Sequence, residues 1–198
     1  MGMNSPHCRP LRPAVFLDRD GTINVEKHYL YKIEDFEFIA GAPESIRRLK
    51  DAGFLVIVIT NQSGIGRGYY SLEAVTRLHQ HIQKELAAIG TAIDAFYVCP
   101  HHPTEGKGQY RIDCACRKPA PGMITQAADE LGVDLKCSYL VGDKMADIDA
   151  ARASGCTPML VRTGYGSEQL LDLADEDLLT FDTLIDATEN ILDNTLQS

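Results

Sequence analysis

Three short apolar runs, each ending at polar residues, place the strongest constraint on how this chain can fold. The run AVFL is followed by Asp18 and Asp20, the run FLVIVIT ends in Thr60, and the run SYLVG precedes Asp143. Apolar runs of this length between turn residues are typical of buried strands. Because helical patterns lie between them, we expect an α/β protein with a doubly wound, mostly parallel sheet.

The alternation of patterns gives the predicted elements. Strands are predicted near residues 14–18, 54–60, 93–98, 138–142 and 157–161. Helices are predicted near residues 43–52, 71–89, 121–132, 147–154 and 182–193, with His79 and His81 on a solvent-facing side of the second. Single strand–helix units separate the motifs, so we expect one domain over residues 13–198, with no separate cap domain, after a disordered leader of residues 1–12.

Two carboxylates follow the first predicted strand, at the edge where open α/β sheets bind ligands. Asp18 and Asp20 are separated by one residue, and two close carboxylates resist joint ionisation unless a cation lies between them. A divalent ion with oxygen ligands suits them, and Mg²⁺ is the usual one where phosphate is handled. The alternative for each aspartate is a helix cap or a turn residue.

Further polar groups follow in the order that one phosphoryl-transfer site needs. Thr60 and the loop after it can hold phosphate oxygens at a strand end. Lys118, in the pair Arg117-Lys118, can neutralise a transferring phosphoryl group. Asp143 ends a later strand, and Asp147 follows four residues on. Each alone is equally a cap, a solvated charge or a turn residue, whereas their order together indicates a single site.

Cysteine and histidine residues form two pairs around a glycine-rich loop. Cys99 precedes His101 and His102, and Cys114 and Cys116 form the second pair. Four such ligands suit a tetrahedral structural Zn²⁺ of the Cys₃His type, which leaves no open position for catalysis. The intervening loop is too polar to build a core, so the metal would order it. A disulfide is the alternative, and the residues alone do not choose between the two histidines.

The net charge of −9 is concentrated near the C-terminus. Residues 168–198 hold nine of the 28 acidic residues and no Lys or Arg, so the remaining 19 acids balance the 19 basic residues. This balance argues against nucleic acid as a partner. No apolar run approaches the roughly 18–20 residues that span a bilayer, so no membrane partner is expected. The leader lacks the apolar stretch of a secretory signal, and we expect a cytoplasmic monomer.

The motifs stand along the chain as Asp18-x-Asp20-Gly-Thr, Thr60-Asn61, Lys118 and Gly142-Asp143-x-x-x-Asp147. Over about residues 14–165 this set resembles the haloacid dehalogenase superfamily of phosphatases. The resemblance implies that Asp18 is a nucleophile forming an aspartyl-phosphate and that Asp20 is the general acid and base. It implies that Thr60 and Lys118 hold the phosphoryl oxygens. It also implies that Asp18, the backbone carbonyl of Asp20 and Asp143 bind Mg²⁺, supported by Asp147.

The zinc loop narrows the resemblance to a branch whose members hydrolyse histidinol phosphate or a heptose 1,7-bisphosphate. Twelve residues separate His101 from Cys114, a spacing that resembles the heptose enzymes. The resemblance favours His101 as the zinc ligand. It implies a small-molecule sugar bisphosphate as the partner, hydrolysed at its 7-phosphate in the synthesis of nucleotide-activated heptose.

The same resemblance assigns the substrate contacts. They fall on Glu26, Lys27, His28, Tyr29, Thr60, Asn61, Gln62, Ser63, Arg117, Lys118 and Lys144. Arg117 would contact the distal phosphate, which is the phosphate that does not react, and Lys144 would lie at the edge of the metal site. Two alternatives stay open. One is histidinol phosphate as the substrate, and the other is a non-enzymatic, zinc-stabilised binding module that keeps the fold.

Overall fold

The computed structural model describes residues 11–172 and 177–196, and its described strands all join one parallel sheet. The order across the sheet is β3-β2-β1-β4-β5-β6. The strands are β1 (Ala14–Leu17), β2 (Leu55–Asn61), β3 (Ala95–Cys99), β4 (Tyr139–Gly142), β5 (Thr157–Val161) and β6 (Leu179–Phe181). This arrangement confirms the predicted doubly wound parallel sheet.

Helices lie between these strands, and one follows the last of them. They are α1 (Ala42–Asp51), α2 (Ser63–Arg67), α3 (Leu72–Ala87), α4 (Gly122–Leu131), α5 (Met145–Ser154), α6 (Gly166–Gln169) and α7 (Leu184–Leu196). Ser71 caps α3, because its side chain accepts a hydrogen bond from the Ala74 N–H. No helix in the described part of the chain is long and apolar enough to cross a membrane.

The core lies on both faces of the sheet because alternate strand residues point to opposite sides. Val15 and Leu17 of β1 pack in one cluster with α1, α3 and α7. Ala14 and Phe16 pack in the other cluster with α4 and α5. The chain therefore buries nearly continuous apolar strands between two helical layers, as parallel sheets require.

Strand β1 lies at the point where the strand order reverses. Strands β2 and β3 extend the sheet on one side of it, and β4, β5 and β6 extend it on the other. Leu17 is level with Val58 of β2 and with Val141 of β4. The residues that follow these strands meet at one edge, in the crevice where such sheets bind ligands.

The structure departs from the sequence predictions at several elements. The five predicted strands and five predicted helices are present to within about three residues at each end. The short elements β6, α2 and α6 were not predicted. His79 is buried, contrary to its predicted solvent-facing position, because it lies on the inner side of α3 with Val75 and Ile82. His81 is half-buried.

The predicted leader meets the fold at its last residue. Arg12 donates its N–H to the Gly132 carbonyl and accepts from the Asp134 N–H, each at 2.9 Å. Ordered backbone therefore begins before residue 13, where the domain was predicted to start. The prediction for residues 1–10 lies outside the described residues.

Candidate active site

Three buried carboxylates converge at the carboxyl edge of the sheet. Asp18 follows β1, Asp143 follows β4, and Asp147 lies in the first turn of α5. One oxygen of each lies within 4.8 Å of the others, and none of the three residues is more than 6% exposed. So much negative charge in a buried space requires cations for compensation.

Lys118 supplies one of those cations. Its Nζ lies 2.8 Å from Oδ1 of Asp18 and 2.5 Å from Oδ1 of Asp147, and it donates to the Ile59 carbonyl at 3.0 Å. Burial alone would lower the pKa of Lys118, but the two carboxylates raise it, so the side chain stays charged. The Asn61 side chain fixes the Lys118 backbone by two hydrogen bonds of 3.0 and 3.1 Å.

Asp143 remains incompletely compensated. Its Oδ2 accepts the Tyr165 N–H at 2.9 Å, whereas its buried Oδ1 has no hydrogen-bond partner among the described residues. Burial, followed by the charge of Asp18, raises the pKa of Asp143 to about 8. Lys144 lies 3.9 Å away, beyond hydrogen-bond distance. An unpaired carboxylate oxygen beside a second carboxylate fits a divalent cation with hard oxygen ligands.

The side chain of Asp20 turns away from this group. Arg19 contacts both of its oxygens at 2.8–3.1 Å, Asn24 donates to Oδ1 at 3.0 Å, and Gln62 donates to Oδ2 at 2.9 Å. Burial would raise the pKa of Asp20, but the Arg19 charge and the hydrogen bonds hold it below its usual range. In this geometry Asp20 is therefore a fixed, ionised carboxylate.

Arg19 is itself completely buried. It donates to the Leu30 carbonyl at 2.9 Å and lies 3.3 Å from Nε2 of His79, whose ring stacks on Phe96. Burial and the Arg19 charge lower the pKa of His79 to about 3. A neutral imidazole can accept from the guanidinium, so His79 completes the support of Arg19 and Asp20.

A cavity of about 330 Å³ opens over these groups. It is lined by Asp18, Asp20, Glu26, His28, Tyr29, Thr60, Asn61, Gln62, Ser63, Tyr70, Lys118, Lys144, Ala146, Asp147 and Tyr165. Most residues assigned from the sequence are thus brought together. Lys27, Arg117 and Asp143 do not line the cavity.

Lys27 and Arg117 instead contact groups outside the cavity. Lys27 pairs with Glu37 at 3.2 Å on the surface. The Arg117 guanidinium donates to the His101 carbonyl at 3.2 Å. Both cations would have to change partners or extend to reach a ligand in the cavity.

One wall of the cavity is formed by the loop after β1 and by Tyr165. His28 and Tyr29 have backbone φ angles of +46° and +27°, in the left-handed region that costs energy for residues other than glycine. Nδ1 of His28 lies 2.9 Å from the Tyr165 hydroxyl. Nζ of Lys144 lies 3.4 Å from Glu26 and 4.6 Å from the centre of the Tyr165 ring. These contacts hold a strained loop over the site.

The second cluster contains Cys99, His101, Cys114 and Cys116. The three Sγ atoms lie 3.2–3.6 Å apart, and Nδ1 of His101 lies 3.2 Å from Sγ of Cys116. A zinc–sulfur bond length of about 2.3 Å corresponds to tetrahedral ligand separations of about 3.8 Å. The cysteines are unbonded to one another, which argues against the disulfide alternative. His102 instead accepts backbone N–H groups of residues 104 and 105.

Sequence reasoning missed Arg19, Tyr70 and Tyr165. Arg19 carried one signal, because a positive charge between two aspartates in an otherwise apolar segment needs a buried partner. Tyr70 and Tyr165 carried none, since a single tyrosine after a loop does not reveal which cavity its hydroxyl will face.

Comparison with known proteins identifies the family. A family model described as HAD-hydrolase-like matches residues 115–187. The D-glycero-beta-D-manno-heptose-1,7-bisphosphate 7-phosphatase of Yersinia pestis is 46% identical over 153 residues, covering 77% of this chain and 81% of the relative. The enzyme of the same name from Escherichia coli K12 is 47% identical, with 77% and 80% covered.

A solved structure agrees with these relatives. It is D,D-heptose 1,7-bisphosphate phosphatase from B. bronchiseptica, complexed with magnesium and phosphate. It superposes with a TM-score of 0.83 at 34% identity, and the match covers 92% of this chain and 99% of that one. The chain therefore belongs to the heptose-1,7-bisphosphate 7-phosphatase family of the haloacid dehalogenase-like hydrolases.

Proposed function

We propose that this protein hydrolyses the 7-phosphate of D-glycero-D-manno-heptose 1,7-bisphosphate through an aspartyl-phosphate on Asp18. The observation that carries the proposal is the buried contact between Lys118 and Asp18 at the base of a polar cavity. Beside it lies Oδ1 of Asp143, which has no hydrogen bond within the described ranges. A carboxylate next to a fixed ammonium is suited to attack phosphorus while the ammonium holds a phosphoryl oxygen. The named activity of the family members supports the same reaction.

Asp18, Asp143 and the backbone carbonyl of Asp20 would hold Mg²⁺. The donor set is oxygen only, and Oδ1 of Asp143, which has no hydrogen-bond partner in the described part of the chain, fits it. The related B. bronchiseptica structure is described as a complex with magnesium and phosphate. When bound, the ion supplies charge neutralisation and alignment for the transferring phosphoryl group.

The chain's own residues perform the transfer in two displacements. An oxygen of Asp18 attacks phosphorus, the bond from phosphorus to the sugar oxygen breaks, and Asp20 donates a proton to that oxygen. Water then attacks the phosphorus, Asp20 takes its proton, and the Asp18–phosphorus bond breaks to release phosphate. Asp20 is ionised without ligand, and the negative charge of an arriving phosphate favours its protonation.

The remaining cavity residues would orient the sugar bisphosphate. Thr60 accepts a hydrogen bond from Gln62, so its own hydroxyl proton can face a phosphoryl oxygen. Ser63 begins α2 and Lys144 lies beside Asp143, so both border the same space. Glu26, His28 and Tyr29 form the facing wall and can contact the sugar hydroxyls. Asn61 acts by fixing the Lys118 backbone.

The distal phosphate needs a further cation. Arg117 directly precedes Lys118, and we assign it to this phosphate because its planar fork can hold a phosphate by two hydrogen bonds. Lys27 is another cation predicted to contact the substrate, and it would have to leave Glu37.

Cys99, His101, Cys114 and Cys116 would hold a structural Zn²⁺. The four donors already converge, and a fourth protein ligand leaves no open position for catalysis. Cys116 directly precedes Arg117 and Lys118. The metal would therefore fix the backbone that carries the two cations as well as the polar loop. The protein would act as a cytoplasmic monomer without nucleic-acid or membrane partners.

Phosphate release from the purified protein tests the proposed function. We expect release from the heptose 1,7-bisphosphate with Mg²⁺, loss of release with EDTA, and much slower release from histidinol phosphate. Faster release from histidinol phosphate would contradict the sugar assignment. No release from either compound, with Zn²⁺ retained, would favour the non-enzymatic binding module.

A further inference from the structure

We propose that Tyr70 is a positioning residue that holds the general acid Asp20 in register with Thr60 by fixing the amide of Gln62. The inference rests on the proposed phosphatase function. It concerns the hydroxyl group of a residue that lines the same cavity and contacts Gln62.

The Gln62 amide bridges two parts of the site. Its Nε2 donates to Oδ2 of Asp20 at 2.9 Å and to Oγ1 of Thr60 at 2.8 Å. The contact with Thr60 is buried and the contact with Asp20 is partly buried. Gln62 itself is only 3% exposed. One NH₂ group therefore sets the separation between the proposed acid and the hydroxyl proposed to hold a phosphoryl oxygen.

The direction of that amide depends on Tyr70. An ionised carboxylate only accepts hydrogen bonds, so the NH₂ side of the amide must face Asp20 and the carbonyl side must face the other way. There the Tyr70 hydroxyl donates to Oε1 of Gln62 at 2.7 Å. Burial raises the pKa of Tyr70, so the hydroxyl keeps the proton that it donates. Without this donor, a flipped amide would place its oxygen against Asp20.

The ring of Tyr70 is held rigidly enough to set this direction. Tyr70 is 9% exposed and stacks on Tyr31, with ring centres 5.0 Å apart and an angle of 19° between the planes. On another side it lies directly against Gly64, where a methyl group would be 2.3 Å from Cε1 of Tyr70. Only a glycine at position 64 leaves room for the ring, so the local sequence is adapted to the tyrosine.

The test compares two substrates that differ in their need for a general acid. The sugar alkoxide leaves only with a proton, whereas 4-nitrophenolate is stable without one. The constant kcat/KM covers steps up to departure of the leaving group, so it reports proton donation to that group. Tyr70→Phe keeps the ring and removes only the hydroxyl. Tyr31→Phe is the matched control, because it alters the stacked partner, whose hydroxyl has no hydrogen bond among the described residues.

We expect Tyr70→Phe to lower kcat/KM for the heptose bisphosphate about three- to tenfold. This loss corresponds to the free energy of one hydrogen bond. For 4-nitrophenyl phosphate the loss should stay below about twofold, and Tyr31→Phe should leave both values unchanged. Asp20→Asn should show the same split between substrates with a larger loss. In a Gln62→Ala background, Tyr70→Phe should have no further effect, because the two residues act as one unit.

Equal losses on both substrates would overturn the inference, because they would indicate general structural damage. A further loss in the Gln62→Ala background would also overturn it, since Tyr70 would then act by another route. If the unaltered protein is active and the Tyr70→Phe variant has the same kcat/KM, only this inference is contradicted. An unaltered protein that releases phosphate from neither compound contradicts the proposed function, and the inference falls with it.

Discussion

The ammonium nitrogen of Lys118 lies 2.8 Å from Oδ1 of Asp18, with both side chains almost fully buried. This ion pair places the carboxylate of the proposed nucleophile against a fixed, buried ammonium group. It also places a cation where the phosphoryl oxygens would arrive. The same contact therefore stabilises the resting site and prepares it for catalysis.

Replacing Lys118 should lower both the activity and the stability of the protein. Lys118→Met leaves Asp18 and Asp147 buried without their cation, so we expect kcat to fall at least about a hundredfold. The free energy of unfolding of the metal-free protein should fall by about 3–5 kcal/mol. Steady-state kinetics and urea unfolding measure the two effects.

The matched control for this change is Lys50→Met. Lys50 pairs with Asp94 at 2.6 Å, but both side chains are partly exposed. We expect a stability loss of at most about 1 kcal/mol and unchanged activity. Equal losses in the free energy of unfolding for the two variants would show that burial of the Lys118 ion pair does not increase the destabilisation.

Arg117 should matter for the distal phosphate and for little else. Arg117→Ala should raise KM for the heptose 1,7-bisphosphate by an amount equivalent to about 1.5–3 kcal/mol, the value of a charge-assisted hydrogen bond. With the heptose 7-phosphate, which lacks the distal group, KM should change much less. Arg111→Ala, at an exposed position of the same loop, should behave like the unaltered protein. Equal losses on both sugars would place Arg117 at the reacting phosphate instead.

The zinc site should couple metal content to stability and activity. The purified protein should contain about one Zn²⁺ per chain, and Cys114→Ser should lower both the zinc content and the unfolding temperature. Activity should fall with them, because the loop that carries Arg117 and Lys118 loses its anchor. Cys137→Ser, at an exposed cysteine outside the cluster, is the control. Elemental analysis that finds no zinc in active protein would refute the assignment.

Burial of a neutral His79 makes stability depend on pH. Burial and the Arg19 charge lower the native pKa of His79 to about 3, whereas an unfolded histidine titrates near pH 6.5. Between these values the unfolded chain binds one more proton than the native one, so stability falls as pH falls. The contribution is about 1.4 kcal/mol per pH unit below about pH 6.5.

The measurement compares the free energy of unfolding at pH 7 and pH 5 in variants. The unaltered protein should lose about 2 kcal/mol more over this interval than His79→Gln, which has no proton to bind. His81→Gln should keep the full dependence, because His81 is only half-buried and contacts Phe36 rather than Arg19. An identical pH dependence in His79→Gln would show that His79 binds a proton as readily in the native state as in the unfolded chain.

The sequence predicted the sheet and the convergence of polar side chains at its edge, because both follow from local patterns. Apolar runs identify parallel strands, and the residues after Leu17, Thr60 and Gly142 must meet at one edge. The support of Asp20 could not be predicted in this way. It depends on His79 and Tyr70, which come from another helix and from a loop and approach only after folding. The predictions failed where burial by tertiary packing decided the outcome, as it did for His79.

The most direct test of the central claim is to trap phosphate on the nucleophile. The protein is mixed with heptose 1,7-bisphosphate labelled at the 7-phosphate, quenched in acid within the first turnover, and digested for peptide analysis. We predict label on the peptide containing Asp18, and neither label nor turnover in a folded Asp18→Asn variant. Active protein that carries no label, or carries it on another residue, would contradict covalent catalysis by Asp18.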